Sequence, residues 1–348
     1  MFSILQIVTA VAGFVITAAS GFIFIPFLRK IHFGQTILDI GPKWHKNKQG
    51  TPIMGGFMFM AGTLLAVVIG YMLAFAVSGQ GAADFAGRLL SEFTASKSRL
   101  IQFIAGIMLA LLMMFIGFMD DYIKAVKKQN LGLRASQKTF LQLLCAACYL
   151  ITMYLGGMHT TWLPFVGQVD ITSGFGLLFW PVALIFIYGF TNAVNLTDGV
   201  DGLATSVTIV VTAFFFAASV LTYHYGYSLL TAALLGALLG FLVWNMHPAK
   251  VFMGDTGSMF LGGIVVAFAF AINRPILLFF AGILYFIEAL SVVIQVTYYK
   301  KTKKRIFKMS PIHHHFEMCG WSENKIVSVF SLVAFIGCFA ALLIMQLL

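Results

Sequence analysis

Long apolar runs separated by short polar segments set the pattern of this chain. Ten runs of about 20 residues contain no charged residue, apart from Glu288 in the ninth run. Because backbone groups inside a bilayer must pair within their own segment, such runs predict membrane-spanning helices. The predicted spans are 3–28, 52–77, 100–119, 139–158, 175–192, 203–222, 227–245, 258–272, 275–299 and 326–348.

Composition narrows the class further. Of the 348 residues, 60% are hydrophobic and only 10% are charged, whereas soluble domains carry about 25% charged residues. We therefore expect an all-α integral membrane protein, with one multi-pass domain over 1–348 whose solvent is the lipid bilayer. We expect no nucleic-acid partner.

The distribution of basic residues predicts the orientation. The odd-numbered loops between the spans hold 18 of the 22 lysines and arginines. Loops rich in lysine and arginine stay in the cytoplasm, so the odd-numbered loops are predicted to be cytoplasmic. Ten spans then place both termini on the periplasmic side.

Five aspartates lie at the same predicted cytoplasmic ends of the spans. The charge rule explains the basic residues of these loops but requires no acidic ones. A functional site on the cytoplasmic face explains both. The aspartates are Asp120, Asp121, Asp198, Asp201 and Asp255.

Asp120 and Asp121 form an adjacent pair in the segment GFMDDYIK. Neighbouring carboxylates repel, so such a pair suits a bound cation or a group that transfers a proton. The alternative is a solvated helix end in which Asp120 pairs with Lys124.

Asn195, Asp198 and Asp201 follow one another at intervals of three residues in the segment NAVNLTDGVDG. One helical turn would bring their polar atoms together, and Gly199 allows a ligand to approach the backbone closely. An ordinary turn rich in Asn, Asp and Gly is the alternative.

Asp255 stands between two glycines, directly before a predicted span, in the segment NMHPAKVFMGDTGS. A carboxylate in such a turn can hold a hard cation beside a diphosphate, and Phe252 could stack on a base. Short turns of this kind are also common without a ligand.

The last predicted cytoplasmic loop is basic and ends in three histidines, 313–315. Consecutive side chains diverge, so anion binding or proton transfer by one or two of them is favoured over zinc. In the first loop, Lys46 and Lys48 are candidates for phosphate contacts, although a purely topological role is the alternative. Acidic residues that suit a metal ion and basic residues that suit phosphate thus lie on one predicted face. This combination indicates phosphoryl transfer.

Five segments carry a family resemblance over nearly the whole chain. The sequence resembles the phospho-N-acetylmuramoyl-pentapeptide transferase (MraY) family, within the polyprenyl-phosphate N-acetylhexosamine-1-phosphate transferases. The last of the segments, PIHHHFE, points to the muramoyl-pentapeptide branch. The segments are GPKWHKNKQGTPIMGG, GFMDDYIK, NAVNLTDGVDGLA, NMHPAKVFMGDTGS and PIHHHFE.

The resemblance implies a reaction and its partners. Phospho-MurNAc-pentapeptide would pass from UDP-MurNAc-pentapeptide to undecaprenyl phosphate, giving lipid I and UMP in the bacterial inner membrane. Mg²⁺ would be the cofactor, and the protein would be a homodimer with ten helices. A GlcNAc-1-phosphate transferase using UDP-GlcNAc is one alternative. A nucleotide-sugar transporter is another, although transporters place polar groups near the midplane of the bilayer.

The resemblance also implies roles for single residues. Asp255 would bind the metal, and Asp120, Asp121, Asp255 and His314 would be catalytic. The acceptor would attack directly after Asp120 takes its proton, or an aspartate would first form a covalent intermediate. The implied substrate-binding residues are Lys46, Lys48, Thr51, Lys124, Lys138, Asn195, Asp198, Gly199, Asp201, Asn245, Phe252, Gln295, His313 and His315.

Glu288 is predicted to face the site or a neighbouring helix, because a carboxylate within a span is costly against acyl chains.

Overall fold

A computed structural model describes residues 3–31, 34, 48–77, 83–127 and 131–346. Within these ranges, ten helical segments are long and apolar enough to cross a membrane, which confirms the ten predicted spans. These segments are α1 (Ile4–Lys30), α2 (Gly56–Val77), α4 (Lys97–Lys127), α5 (Ala135–Leu155), Gly174–Thr197 containing α6 (Phe179–Thr197), α7 (Leu203–Leu221), α8 (Tyr225–Asn245), α9 (Gly254–Ala271), α11 (Ile283–Thr302) and α13 (Glu323–Gln346).

Several helices extend beyond the charge-free runs that predicted them. Helix α4 continues past the end of its apolar run and carries Asp120, Asp121 and Lys124 in its last turns. Helix α9 begins at Gly254 and so includes Asp255. The end of an apolar run therefore marks the point at which a helix gains polar neighbours. It does not mark the end of the helix, which continues.

The ninth predicted span is broken near its start. A short 3-10 helix covers Pro275–Leu277, and helix α10 (Leu278–Ala281) follows it. Helix α11 then starts after Gly282 and carries Glu288 and Gln295. Glycine in a helix loses backbone entropy, which favours an interruption at this position.

Two helices and one hairpin of two strands were not predicted from the sequence. Helix α3 (Ala83–Ala95) is amphipathic and contains charged residues, so it does not resemble a span. Helix α12 (Ile312–Glu317) carries the three histidines. Strands β1 (Thr160–Leu163) and β2 (Gly167–Asp170) form an antiparallel hairpin, which corrects the all-α expectation in this one segment.

Helix α9 lies at the centre of the bundle. Every residue from Thr256 to Ala271 is buried, which is expected of a helix that is apolar all round. Helix α1, by contrast, buries one narrow stripe and exposes its remaining faces. Exposed apolar side chains are stable in a lipid solvent, so α1 belongs to the periphery.

The end of α4 and the start of α9 meet at one end of the bundle, called here the site end. Gly117 of α4 makes this possible, since a Cβ at this position would overlap the backbone of Asp255. The close approach brings Asp121 within hydrogen-bond distance of the first turn of α9.

Candidate functional site

Three carboxylates converge at the site end and are called here the Asp255 cluster: Asp120, Asp121 and Asp255. One oxygen from each lies within 4.8 Å of the others. Asp120 and Asp121 are 4% and 3% exposed, whereas the Asp255 side chain is 20% exposed. Asp255 is therefore the carboxylate that a ligand reaches most directly.

Two lysines neutralise part of this charge. Lys138 Nζ donates to Asp255 Oδ2 at 2.7 Å. Lys124 Nζ lies 2.5 Å from Asp120 Oδ2 and 3.4 Å from the same oxygen of Asp255. The i, i+4 pair of Asp120 with Lys124 therefore forms, but within a cluster that holds a third carboxylate.

Asp121 caps helix α9 from a neighbouring helix. Its carboxylate accepts the backbone N–H groups of Asp255 at 3.2 Å and Thr256 at 2.9 Å, and the Thr256 hydroxyl at 2.7 Å. The N–H groups in the first turn of a helix have no partner within the helix, and an anion there is stabilised by the helix dipole. Asp121 thus fixes the backbone that carries Asp255.

Asn195 and Asp198 approach the cluster from the end of α6. Asn195 Nδ2 donates to Asp255 Oδ1 at 3.0 Å and to Ser258 Oγ at 2.8 Å. Loss of contact with water, followed by the charges of Asp255 and Asp121, holds the pKa of Asp198 well above its usual range. A carboxyl group in such surroundings gains from a proton or from a nearby cation.

A second group of titratable side chains is called here the Asp201 cluster: Asp201, His247 and Glu323. Their ligand atoms also lie within 4.8 Å of one another. Lys48 Nζ lies between the two carboxylates, at 2.7 Å from Asp201 and 2.6 Å from Glu323. His247 Nδ1 is 3.0 Å from Asp201, and the backbone N–H of Ala249 donates to Asp201 at 3.0 Å.

Two of the predicted substrate-binding residues hold backbone segments in place. Gln295 accepts the N–H groups of Ile306 and Phe307 at 3.1 and 3.0 Å. The buried Asn245 donates to the carbonyl of Val251 and accepts from the Thr205 hydroxyl.

The segment before α2 is fixed against the segment before α9. The Phe252 N–H donates to the carbonyl of Pro52, and the Phe252 carbonyl accepts the N–H of Gly55, both at 2.8 Å. Thr51 precedes this contact and donates its N–H to the carbonyl of Lys48. Lys46 lies outside the described residues.

The three histidines have different surroundings. His313 is fully buried with its Nδ1 3.0 Å from Glu288 Oε2, and Glu288 is also fully buried, as predicted. His314 Nδ1 lies 2.5 Å from Glu317 Oε2, and its side chain is 14% exposed. His315 Nδ1 accepts the N–H of Lys308 at 3.1 Å.

Comparison with known proteins identifies the family. The sequence model described as Glycosyl transferase family 4 matches residues 103–273. The phospho-N-acetylmuramoyl-pentapeptide-transferase of Clostridium beijerinckii is 43% identical over 328 residues, which cover 94% of this chain and 93% of the relative. The protein of the same name from Clostridioides difficile is 43% identical over 326 residues, covering 93% of each chain. The chain belongs to the phospho-N-acetylmuramoyl-pentapeptide-transferase family.

Membership in the phospho-N-acetylmuramoyl-pentapeptide-transferase family confirms the resemblance carried by the sequence segments. The chain is a transferase and a multi-pass protein of the bacterial inner membrane. The matched range 103–273 includes the whole Asp255 cluster together with Asp198 and Asp201.

Sequence reasoning had not singled out two residues of the Asp201 cluster, His247 and Glu323. His247 lies in the same polar segment as Asp255, and Glu323 shortly precedes the last predicted span. The available signal for Glu323 was its position near the end of a span, which it shares with the five aspartates. Its distance from Asp201 along the chain meant that the contact between them could not be predicted.

Proposed function

We propose that the protein transfers phospho-MurNAc-pentapeptide from UDP-MurNAc-pentapeptide to undecaprenyl phosphate, forming lipid I and UMP. The close relatives bear the name of this transferase. The observation that carries the proposal is the Asp255 cluster, where carboxylates and lysines meet at one end of a membrane bundle. A reaction between two anionic substrates needs this combination of charges.

The cofactor in this proposal is Mg²⁺, held by Asp255 with Asp120 and Asp121 beside it. Oxygen ligands from carboxylates suit this hard cation, and three such ligands lie within 4.8 Å of one another. When bound there, the ion would neutralise charge on the diphosphate and on the departing UMP. Three carboxylates against two lysines leave an excess of negative charge that such an ion offsets.

Lys124 and Lys138 bind phosphate oxygens in this proposal. Both share Asp255 Oδ2 as a partner. When a ligand binds this oxygen, the ammonium groups of Lys124 and Lys138 lose this shared partner and lie close to the diphosphate. Lysine is an effective positive point charge for phosphate. The two side chains therefore offset the negative charge that builds up on the phosphate oxygens during transfer.

Asp120 accepts the proton of the lipid phosphate, whose oxygen then attacks the β-phosphorus of UDP-MurNAc-pentapeptide directly as the bond from that phosphorus to UMP breaks. Both oxygens of Asp121 are committed to the first turn of α9, so Asp121 is a positioning residue in this scheme. Incubating the enzyme with radiolabelled donor but no acceptor tests the scheme. Recovery of label covalently attached to an aspartate would overturn direct attack in favour of an enzyme-bound intermediate.

The orientation in this proposal places the site end in the cytoplasm and both termini in the periplasm. The positive-inside rule supports it, since the loops at the site end contain most lysines and arginines. Cysteines introduced at Lys304 and at Gln168 of β2, in a Cys-free background, test it. Membrane-impermeant maleimide added to intact spheroplasts should label only the cysteine at 168.

The donor is the sharpest test of the function. Purified enzyme with Mg²⁺ and undecaprenyl phosphate should release UMP from UDP-MurNAc-pentapeptide but not from UDP-GlcNAc. Preference for UDP-GlcNAc would replace the proposal by GlcNAc-1-phosphate transfer. Flux of an intact nucleotide sugar without UMP release would replace it by transport. The homodimer remains a prediction, which the mass of the purified protein in detergent tests.

A further inference from the structure

Glu288 and His313 form a buried pair that is separate from both carboxylate clusters. Both side chains are 0% exposed, and Glu288 Oε2 lies 3.0 Å from His313 Nδ1. Glu288 belongs to the membrane-spanning helix α11, whereas His313 belongs to the short helix α12. A carboxyl group within a membrane span is costly in free energy, so we expect a specific role for Glu288.

The other side of the His313 ring packs against Gly199. A Cβ added to Gly199 would overlap Nε2 of His313 and would lie only 2.8 Å from Cε1. Gly199 does not have a positive φ angle, so glycine is required here for space. Gly199 lies between Asp198 and Asp201 in the connection from α6 to α7.

The contact between His313 and Gly199 is steric. Because Nδ1 faces the Glu288 carboxylate, Nε2 is the ring atom that faces Gly199. Among the described residues, none forms a hydrogen bond with Nε2 of His313 or with Oε1 of Glu288. Among the described residues Glu288 is therefore the hydrogen-bond partner that orients the ring, as outer partners do for histidines in metal sites.

We propose that Glu288 is a positioning residue that holds His313 as a wedge against Gly199 and thereby sets the position of the 198–201 loop. This inference rests on the proposed function and takes Asp198, Gly199 and Asp201 as residues that bind the donor, as the family resemblance implies. Glu288 acts through His313 and does not contact substrate. Its loss should weaken donor binding and leave the metal and the acceptor largely unaffected.

The first experiment measures UMP release by Glu288→Leu and Glu288→Gln. Loss of a buried hydrogen bond to a charged group should raise the KM for the donor roughly tenfold in Glu288→Leu. The kcat, the KM for the lipid and the Mg²⁺ dependence should stay within about twofold. Glu288→Gln still accepts a hydrogen bond from Nδ1 and should restore most of the donor KM.

Glu92→Leu is the matched control. Glu92 is also a buried carboxylate, 3.1 Å from Arg99 and 2.7 Å from the N–H of Gly226. These contacts lie at the start of α4, whereas Asp120 and Asp121 lie near its other end. This variant should lower the Tm and leave the donor KM unchanged. A donor KM in Glu288→Leu that equals the Glu92→Leu value would overturn the proposal.

A double-mutant cycle keeps the test valid if Glu288→Leu fails to fold. Gly199→Ala and His313→Ala should each raise the donor KM. The double variant should be no worse than the worse single variant, because the ring that the new methyl group strikes is gone. Additive effects would contradict a wedge. If the wild-type enzyme releases no UMP, the proposed function is overturned. If the wild type is active but the effects of the two substitutions are additive, only the positioning role is overturned.

Discussion

The Asp255 cluster and the Asp201 cluster each bring three possible metal ligands within 4.8 Å of one another, but they differ in where their lysines lie and in how exposed their carboxylates are. The Asp255 cluster has three carboxylates and two lysines, with Asp198 a further carboxylate nearby. The Asp201 cluster has two carboxylates that share Lys48, and His247 also contacts both. Carboxylates that are close together therefore need not mark a cation site.

In our proposal this difference makes the Asp255 cluster the reactive site, whereas the Asp201 cluster is a structural contact between two segments. In the Asp201 cluster one lysine joins two segments that are distant in sequence, the connection from α6 to α7 and the start of α13. In the Asp255 cluster both lysines contact the same oxygen of Asp255, and the Asp255 side chain remains 20% exposed, against 3% and 9% for Asp201 and Glu323. A carboxylate that a ligand can reach favours cation binding.

Asp255→Asn should have the largest effect. The substitution removes the exposed charge of the Asp255 cluster, so UMP release should fall about a thousandfold while the Tm of the detergent-solubilised protein is retained. Glu323→Gln makes the same chemical change in the Asp201 cluster and should lower turnover less than about tenfold. Equal losses in the two variants would erase the distinction between the clusters.

Lys138→Met should reduce kcat/KM roughly thirtyfold, which corresponds to about 2 kcal/mol for an ionic hydrogen bond. The expected reason is the loss of a cation that lies 2.7 Å from Asp255 and, in our proposal, binds phosphate. Arg134→Met removes an exposed cation at the start of the same helix and serves as the control. Similar rates for the two variants would mean that Lys138 supplies only general positive charge.

Lys48→Met should act mainly on stability. It leaves Asp201 and Glu323, which are 3% and 9% exposed, without their shared cation, at a cost of about 3 kcal/mol in the free energy of unfolding. A lower Tm is therefore expected, whereas Lys304→Met, at an exposed lysine of the same end, should leave the Tm unchanged. An unchanged Tm with a raised donor KM would instead support the sequence prediction that Lys48 binds substrate.

Thr256→Val should have the smallest effect. It removes the hydroxyl that donates to Asp121 at 2.7 Å but keeps the backbone N–H at 2.9 Å. A loss of about 1 kcal/mol, or roughly fivefold in kcat, follows from one missing hydrogen bond. Among the described residues, the buried Thr231 hydroxyl bonds only within its own helix α8, so the control Thr231→Val should not change kcat. No change in the Thr256 variant would show that the backbone bonds alone position Asp255.

The sequence predicted the spans and the aspartates of the site end because both depend on local signals. Charge-free runs of bilayer length identify spans one by one, and polar residues at their ends identify the face. The hairpin at 160–170 and the amphipathic helix α3 were missed because their apolar residues form no long run.

Contacts between residues that are far apart in the chain could not be predicted from the sequence. Asp121 and Thr256, or Lys48 and Glu323, meet only after the helices pack, and their separation in the chain gives no hint of contact. The three histidines illustrate the same limit, because consecutive positions in α12 meet three different surroundings.

Binding of Mn²⁺ in place of Mg²⁺ tests the central claim most directly, since it is independent of turnover. Electron paramagnetic resonance of purified protein titrated with Mn²⁺ should show a bound ion in the wild type and in Glu323→Gln, and no bound ion in Asp255→Asn. A bound ion that persists in Asp255→Asn and disappears in Glu323→Gln would place the metal in the Asp201 cluster and contradict the account.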